Sequence, residues 1–370
     1  MKCLHILPMN KLSGAEKMVL TICKNMNKYQ PIVVCGGLEL ENIFKENGIK
    51  GYSINFSSKN LLKISTNIKN IIKENDIRII HAHDNIASII AYITKRVFNL
   101  QINIVSHIHS CYPWLSKNGF NKFIDKNIRG KYDYNIACGK GLYDFYKKNA
   151  DYIDEKKFMI LSNAIDIKEV EELNLKNSLD LKKQYNIPNN KIVLGFIGRL
   201  CSIKGIIPFL KEAAKYKEQL DDCRILLIGS GDEEEDIKKL VIELGIQDIV
   251  IMTGFQKDTY KFYQIIDVFF LPSLYEGLPM VILEAMAFKK AVISMDVGSI
   301  NDVIEDKKTG LLIKPNQFNE FVNNLIILKN NKNFQLKLGH DGFEYLKKNL
   351  DINSYVTSLE KCYDKLLLNI

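Results

Sequence analysis

Short runs of apolar, mostly β-branched residues recur along the chain, and each is followed by a stretch with helical spacing of its apolar positions. Five runs lie in the first half and five in the second, at 3–9, 31–37, 77–83, 102–109, 134–139, 191–198, 223–231, 249–254, 267–273 and 290–295. Near-continuous apolar strands that alternate with amphipathic helices are typical of parallel sheets covered on both faces. The sequence therefore predicts an α/β protein with two doubly wound domains facing each other across a cleft.

The boundary between the two domains is predicted where the strand signal fails. Residues 166–190 contain no buried-strand run and carry Asn and Pro, so we place the hinge there. The N-terminal domain then covers 1–165 and the C-terminal domain 166–350, and an amphipathic pattern within 351–370 predicts a final helix. In open α/β sheets ligands bind beyond the carboxyl ends of the strands, so polar residues at those ends are the candidate site residues.

The composition narrows the class of protein. At 370 residues, 46% hydrophobic and 25% charged, the chain can bury a large core. It contains no run of 18 apolar residues, and His5 and Pro8 interrupt the apolar N-terminus, so we expect neither a transmembrane helix nor a signal peptide. Eight cysteines without a Cys-x-x-Cys pair favour reduced thiols over disulfides or zinc ligands. We expect a cytoplasmic protein.

The net charge of +8 is concentrated in the first half. Residues 1–165 hold 24 Lys and Arg against 13 Asp and Glu, whereas the remainder holds 27 against 30, which suggests an anionic partner for the first half. Basic and apolar residues alternate most densely in 115–132, as Lys117, Phe120, Lys122, Phe123, Ile124, Lys126, Ile128, Arg129 and Lys131. This pattern fits a helix on the anionic inner face of the plasma membrane, and equally a surface helix with its apolar side in the core. No aromatic-basic stacking platform favours a nucleic acid.

The sequence FIGRLCSIKG, at 196–205, follows the first strand of the second half. Gly198 allows the backbone to approach a ligand, while Arg199 and Lys204 supply positive charge close to the start of a helix. A guanidinium fork and an ammonium point charge together suit a diphosphate. Taken alone, an Arg and a Lys on a loop are usually only solvated charges.

The sequence PSLYEGLPMVILEAMA follows another strand and contains two glutamates spaced by seven residues. Glu276 lies in the loop, Gly277, Leu278 and Pro279 lead into a helix with Pro279 in its first turn, and Glu284 lies about two turns later. A loop carboxylate can accept hydrogen bonds from sugar hydroxyls, and a helix carboxylate can bind a ribose. The free N–H groups of the helix start form a second anion site.

Three weaker signals lie at other strand ends. Gly229 and Gly231 follow a strand, where they could pass close to a base or a phosphate or simply form a tight turn; Ser13 and Gly14 form the equivalent turn of the first domain. Four of the six histidines cluster at the ends of two adjacent strands, in HAHD and SHIHS: His81, His83, His107 and His109. A single histidine is more often packed than functional, but this clustering favours a functional role for at least one of them.

These elements, in this order, resemble the retaining family 4 glycosyltransferases of GT-B fold, in which two Rossmann-like domains face each other. The resemblance covers essentially the whole chain, and GRLCSIKG and EGLPMVILEAMA are its most specific parts, supported by SGAEK, NAID and KTGLLI. In that family the residues matching Arg199 and Lys204 bind the donor pyrophosphate, those matching Glu276 the donor sugar and those matching Glu284 the ribose. The family histidine near the anomeric centre corresponds better to His109 than to His107, and the final helix crosses back to the N-terminal, acceptor-binding domain.

The resemblance implies a retaining transferase that moves a sugar from a UDP- or GDP-sugar to a glycan or lipid-linked glycan in cell-surface polysaccharide synthesis. No Asp-x-Asp motif follows a strand, so we expect no metal and no cofactor; Arg199, Lys204 and a helix N-terminus at 277–280 would neutralise the leaving diphosphate. Alternatives are a soluble sucrose- or trehalose-type synthase and a catalytically silent GT-B partner subunit. The first would need an additional Arg cluster, and the second should lack Lys204, Glu276 or Glu284.

Overall fold

The computed structural model describes residues 1–56, 60–173 and 179–368. The chain divides into two compact units, one formed by Met1–Ala164 with Ile352–Ile370 and the other by Ile165–Asp351. Of the predicted hinge 166–190, residues 174–178 lie outside the described residues, and the described part contains two short helices. The final helix belongs to the first unit, although it follows the second unit in sequence.

The first unit contains a seven-stranded parallel sheet in the order β3-β2-β1-β4-β5-β6-β7. Its strands are β1 (Lys2–Leu7), β2 (Gln30–Cys35), β3 (Lys50–Ser53), β4 (Ile79–His83), β5 (Asn103–Ile108), β6 (Tyr134–Ala137) and β7 (Phe158–Ile160). Its helices are α1 (Gly14–Asn25), α2 (Leu38–Glu46), α3 (Leu61–Asn75), α4 (Asp84–Val97), α5 (Phe120–Ile128), α6 (Lys140–Asn149) and α15 (Ile352–Leu367).

The second unit contains a six-stranded parallel sheet in the order β10-β9-β8-β11-β12-β13. Its strands are β8 (Ile192–Ile197), β9 (Cys223–Ile228), β10 (Val250–Met252), β11 (Val268–Leu271), β12 (Ala291–Met295) and β13 (Leu311–Ile313). Its helices are α7 (Ile167–Leu173), α8 (Leu179–Gln184), α9 (Ile206–Ala213), α10 (Glu234–Glu243), α11 (Tyr260–Ile265), α12 (Met280–Ala287), α13 (Phe318–Asn330) and α14 (Lys332–Asn349).

All ten apolar runs form strands, so the predicted α/β architecture with two parallel sheets is confirmed. The sequence pattern misses β3, β7 and β13, which are the outermost strands of their sheets. They are only three or four residues long, and β3 and β7 are partly exposed. A short edge strand buries too few side chains to require the continuous apolar run that marks a central strand.

Helix α5 is attached to the first unit through the buried side chain of Arg129. Arg129, directly after the helix, is 1% exposed, and its guanidinium donates to Asp125, one turn earlier, as well as to Ser106 Oγ at 2.9 Å. The prediction that counts Arg129 among the surface cations of 115–132 is therefore wrong. Phe120 and Phe123, on the other hand, are 76% and 66% exposed. No helix in the described part of the chain is long and apolar enough to span a membrane.

Candidate functional site

A lysine and a glutamate from two loops of the second unit meet in a direct ion pair. Lys204 ends a 3₁₀ turn after β8, and Glu276 lies between β11 and α12. Lys204 Nζ lies 2.6 Å from Glu276 Oε1, and the two side chains are only 17% and 9% exposed. Strands β8 and β11 are neighbours that end at the same edge of the sheet, which brings together residues 72 positions apart.

Two glycines allow the loops that carry this pair to pack closely. Gly205 has a φ of +67°, and a Cβ there would lie 2.2 Å from the carbonyl oxygen of Pro272. Gly298 has a φ of +64°, and a Cβ there would lie 2.3 Å from the carbonyl oxygen of Glu276. Both positions therefore require glycine, for backbone conformation and for space. Neither was predicted as a site residue, although Gly205 directly follows Lys204 in the motif.

The loops after β8 and β9 also lie against each other through glycines. A Cβ on Gly229 would come within 2.0 Å of the carbonyl oxygen of Gly198, and one on Gly231 within 2.2 Å of the carbonyl oxygen of Leu200. The Leu200 N–H donates to Ser230 O at 3.0 Å. These contacts between loops explain Gly229 and Gly231 without a ligand, and a Cβ on Gly198 would lie 2.9 Å from the Phe196 ring. The approach of the three glycines to a nucleotide stays a prediction.

Arg199 lies on the same loop as Lys204 and forms an ion pair of its own. Its guanidinium lies 2.7 Å from Asp232, and both side chains are largely exposed, at 63% and 78%. Between the two cations lies Cys201, whose pKa is raised by burial while Lys204 and Arg199 both act to lower it. Both positive charges thus act on one thiol. The structure brings Lys204 and Glu276 into contact and leaves the guanidinium of Arg199 at the surface.

Helix α12 presents one predicted site residue toward the protein interior. Glu284 is 1% exposed, and its Oε2 accepts a hydrogen bond from Tyr263 at 2.8 Å. Tyr263, on α11, was not predicted, because no sequence signal connects it to α12. Pro279 is the residue before the helix rather than part of its first turn, which corrects the prediction by one position. Leu278 is buried, and Gly277 O accepts from Ser299 N at 2.8 Å.

The turn at Ser13 and Gly14 in the first unit is capped by its own helix. Ser13 N donates to Glu16 Oε2 at 3.2 Å, and Ser13 Oγ donates to the same oxygen. Glu16 is 4% exposed, and burial raises its pKa. The start of α1, where sequence reasoning expected an anion, is thus occupied by a side-chain carboxyl of the same helix. Ser13 and Gly14 themselves are exposed.

Five of the six histidines are buried side by side in the first unit. Strand register puts all five on one face of the sheet: His5 on β1, His81 and His83 on β4, His107 on β5, and His109 directly after β5. His83 is the last residue of β4 and His107 the last but one of β5, which corrects the prediction that both lie in an acceptor-binding loop. His5 was not predicted as a site residue, although its spacing from Cys3 and Leu7 on an apolar strand puts it on this face.

Burial keeps these imidazoles uncharged. It lowers the pKa of His5 to about 3 and moves the pKa values of His81, His83 and His107 well below their usual range. For His109, burial lowers the pKa while the carboxylate of Asp84 acts in the opposite direction.

Asp84 holds the backbone at His109. Its Oδ1 accepts from the backbone N–H of His109 at 3.2 Å and from the hydroxyl of Tyr112 at 2.6 Å. Asp84 has a φ of +66°, an unfavourable conformation for a residue with a Cβ. Such strain persists only where surrounding contacts enforce it, and it is concentrated at functional sites. Asp84 directly follows HAH in the sequence but gave no signal of this role.

Comparison with known proteins identifies the fold. The chain superimposes on Anabaena HepE in complex with UDP-glucose with a TM-score of 0.86 and 18% identity, over 99% of this chain and 100% of that one. A sucrose-phosphate synthase from Thermosynechococcus elongatus gives a TM-score of 0.81 at 16% identity, over 100% of each chain. Two flanked parallel sheets with these neighbours define a GT-B protein.

Comparison of the sequence identifies the family. Residues 12–169 match the family model Glycosyltransferase Family 4, and residues 177–344 match Glycosyl transferases group 1. The chain belongs to the family 4 glycosyltransferases. It is 32% identical over 138 residues to the alpha-D-kanosaminyltransferase of Streptomyces kanamyceticus, covering 37% of this chain and 36% of that protein. The alignments with the first three curated relatives cover 36% to 62% of their lengths.

One curated relative matches over most of its length. The chain is 21% identical over 348 residues to the UDP-Gal:alpha-D-GlcNAc-diphosphoundecaprenol alpha-1,3-galactosyltransferase of Escherichia coli, covering 90% of this chain and 88% of that protein.

The buried histidines predict a loss of stability in mild acid. A histidine has a pKa near 6.5 when unfolded and a lowered one here, so below pH 6.5 only the unfolded state takes up the proton. Each such group contributes about 1.4 kcal/mol per pH unit to the slope of the unfolding free energy. We expect the Tm from calorimetry to fall steeply from pH 6.5 to 5. His340→Gln, at an exposed position, should leave that dependence unchanged, and His5→Gln should reduce it; a flat wild-type profile would contradict the prediction.

Proposed function

We propose that this protein is a glycosyltransferase that transfers a sugar from a nucleoside-diphosphate sugar, with the donor bound in the second unit. The observation that carries the proposal is the contact of 2.6 Å between Lys204 Nζ and Glu276 Oε1. In a glycosyl phosphate, a phosphate and a ring of hydroxyls are joined at the anomeric carbon. A cation and a carboxylate in contact match these two chemical groups, because the ammonium binds the phosphate and the carboxylate accepts from hydroxyls.

The energetics of the pair favour a ligand over a purely structural role. A largely buried ion pair contributes little stability compared with apolar residues of similar size, because both charges lose water. The pair is therefore poorly explained by folding alone. Arg199, on the same loop and exposed, adds a second cation for the diphosphate. Glu284, whose carboxylate accepts a hydrogen bond from Tyr263, would bind the ribose.

The reaction requires that negative charge on the departing diphosphate be neutralised. In our proposal Lys204, Arg199 and the start of α12 do this without a metal ion or another cofactor. The sugar leaves with its anomeric configuration retained, as the resemblance to the retaining family implies. In this proposal Lys204, Arg199 and the start of α12 stabilise the leaving diphosphate, and no carboxylate of the protein acts as a nucleophile.

For the acceptor we propose a glycan or lipid-linked glycan used in cell-surface polysaccharide synthesis. The galactosyltransferase relative from Escherichia coli has a lipid-linked sugar diphosphate in its name, and it matches over most of its length. The basic first half of the chain suits such an anionic acceptor.

Helix α5 is the surface that we propose to contact an anionic membrane on its cytoplasmic side. Phe120 and Phe123 are exposed, and Phe123 lines a cavity of about 470 Å³ together with Lys122, Lys126 and Lys148. Exposed aromatic rings next to lysines are the chemistry that binds at an anionic lipid surface. An ordinary surface helix would bury these rings, whereas here the half-buried Ile124 and Ile128 face the protein.

Substitution of the ion pair tests the donor site. Lys204→Met should abolish the thermal stabilisation given by UDP-glucose, UDP-galactose, GDP-mannose, ADP-glucose or dTDP-glucose, whichever stabilises the wild type. It should also lower kcat by a factor of about a hundred, equivalent to roughly 3 kcal/mol.

The double variant Lys204→Met, Glu276→Gln separates binding from folding. It leaves no unpaired buried charge, so we expect its Tm to exceed that of Lys204→Met while its activity stays low. The matched control is Lys329→Met with Asp222→Asn, another pair at 2.6 Å in the same unit, which should keep nucleotide binding. Recovery of activity in the first double variant would refute the donor site.

Chelation tests the metal-free mechanism. We expect full activity in excess EDTA, because protein groups supply the positive charge that a divalent ion would otherwise provide. NMR analysis of the product linkage should show retention in the same reactions. Loss of activity in EDTA that Mg²⁺ or Mn²⁺ restores would overturn the metal-free mechanism.

Vesicle flotation tests the membrane surface. The protein should float with vesicles containing phosphatidylglycerol and stay behind with phosphatidylcholine alone. Each lysine near an anionic surface contributes about 1 kcal/mol, so Lys122→Ala with Lys126→Ala should lower partitioning roughly thirtyfold. Phe120→Ser with Phe123→Ser should also reduce it, whereas Ile242→Ser, at an exposed apolar position of the second unit, should not. Equal recovery with both lipids would exclude the membrane contact.

A further inference from the structure

A chain of hydrogen bonds runs through the first unit from Cys3 to His109. Cys3 Sγ lies 3.6 Å from His5 Nε2, His5 Nδ1 lies 3.0 Å from His83 Nε2, and His83 Nδ1 lies 2.9 Å from His109 Nε2. At the end of the chain, His109 Nδ1 is buried and has no hydrogen-bond partner among the described residues. In each of the three rings Nε2 lies on the side toward Cys3, and Nδ1 lies on the opposite side.

The geometry favours shared protons over a metal ion. Two triplets bring their possible ligand atoms within 4.8 Å of one another: His5, His81 and His83, and His83, His107 and His109. Zn²⁺ binds imidazole nitrogens at about 2.0 Å in tetrahedral geometry, so two nitrogens bound to one ion would be about 3.3 Å apart. The facing nitrogens along the chain are only 3.0 and 2.9 Å apart. They have hydrogen-bond spacing and leave no room for an ion between them.

Cys3, the first member of this hydrogen-bonded series, determines which nitrogen of each following ring carries the hydrogen. A neutral imidazole has one N–H and one bare nitrogen, so each ring that accepts at Nε2 must donate from Nδ1. Burial raises the pKa of the Cys3 thiol, which keeps its proton. Its other neighbour, the thioether of Met26 at 3.9 Å, is a weaker acceptor than an imidazole nitrogen. Cys3 therefore donates to His5, His5 to His83 and His83 to His109.

The resemblance to family 4 already implies that His109 contacts the sugar; we propose that Cys3, His5 and His83 are positioning residues that fix His109 as an Nδ1–H donor toward a sugar oxygen of the substrate. The identity of that substrate rests on the proposed function. A buried N–H without a partner is destabilising, and a substrate oxygen that accepts from it offsets this cost. Aligned hydrogen bonds polarise one another by about 10–30% each, which makes the terminal N–H a stronger donor.

A second series of hydrogen bonds, beside the first, provides an internal control for the predicted tautomers. Tyr363 on α15 lies with its hydroxyl 2.6 Å from His81 Nδ1, and His81 Nε2 lies 3.2 Å from His107 Nδ1. The Tyr363 phenol donates, because burial raises its pKa and keeps it protonated. His81 and His107 must then carry their protons on Nε2. The two chains thus require opposite tautomers in neighbouring rings.

The tautomers can be measured directly. The full chain contains six histidines, so ¹⁵N-histidine labelling and long-range ¹H–¹⁵N correlation give a spectrum that single substitutions can assign. We expect Nδ1–H for His5, His83 and His109, and Nε2–H for His81 and His107. An Nε2–H tautomer at His109 would overturn the proposal. So would stoichiometric zinc in the purified protein whose removal by a chelator changes these signals.

Variants connect the tautomer to activity. His83→Leu should allow His109 to populate Nε2–H and should lower kcat about tenfold, the effect of one lost hydrogen bond, with little change in KM for the donor. His83→Asn keeps a donor near the Nδ1 position and should restore both the Nδ1–H signal and most of kcat. Tyr363→Phe, equally buried but in the second chain, should leave the His109 tautomer and kcat unchanged.

Two further results separate this inference from the proposed function. If the wild type turns over none of the nucleotide sugars in the thermal-shift panel, the proposed function fails and the spectrum still decides the tautomers. If His83→Leu folds, binds donor and keeps the wild-type kcat, the positioning role is refuted whatever the substrate is.

Discussion

The contact between Lys204 and Glu276 depends on a close crossing of two backbones in the second unit. Their loops follow the neighbouring strands β8 and β11, and Leu274 N donates to Ile203 O at 2.7 Å where the loops meet. Gly205 makes this approach possible, because any side chain would collide with Pro272 O. Without that crossing, the ammonium and the carboxylate would be separate solvated charges. The donor site that we propose is therefore a consequence of parallel-sheet topology as well as of residue type.

In the first unit a different constraint, the two-residue period of a strand, arranges the polar groups. His81 and His83 on β4, and His107 on β5 with His109 directly after it, point to the same face because the members of each pair are two residues apart. Burial keeps these imidazoles neutral, and most of their nitrogens form hydrogen bonds, so the desolvation penalty for burying them is small. Because each hydrogen bond needs one donor and one acceptor nitrogen, the tautomer of one ring fixes the tautomer of the next. A buried polar network of this kind specifies one arrangement, which is the property a substrate-binding group requires.

Helix α5 shows how one amphipathic pattern can serve two surfaces. Its half-buried isoleucines and the hydrogen bond from Arg129 to Ser106 attach it to the first unit. Phe120 and Phe123 are left exposed on another side. The sequence pattern assigns all the apolar residues and all the cations of this segment to one surface. Helical periodicity alone does not show which of these side chains are buried against the rest of the protein. Arg129 is buried because Asp125, one turn earlier, compensates its charge.

The sequence by itself determined the two parallel sheets, since every central strand needs a continuous apolar run and every such run became a strand. It also indicated Lys204 and Glu276, because charged residues directly after buried strands must lie at a sheet edge. It missed β3, β7 and β13, which bury too little to leave a pattern. Only the tertiary structure decided that Arg199 pairs with Asp232, that Tyr263 contacts Glu284, and that His5 joins His83. Those contacts join residues distant in sequence, and their partners are set by sheet order and register, which residue types alone do not encode.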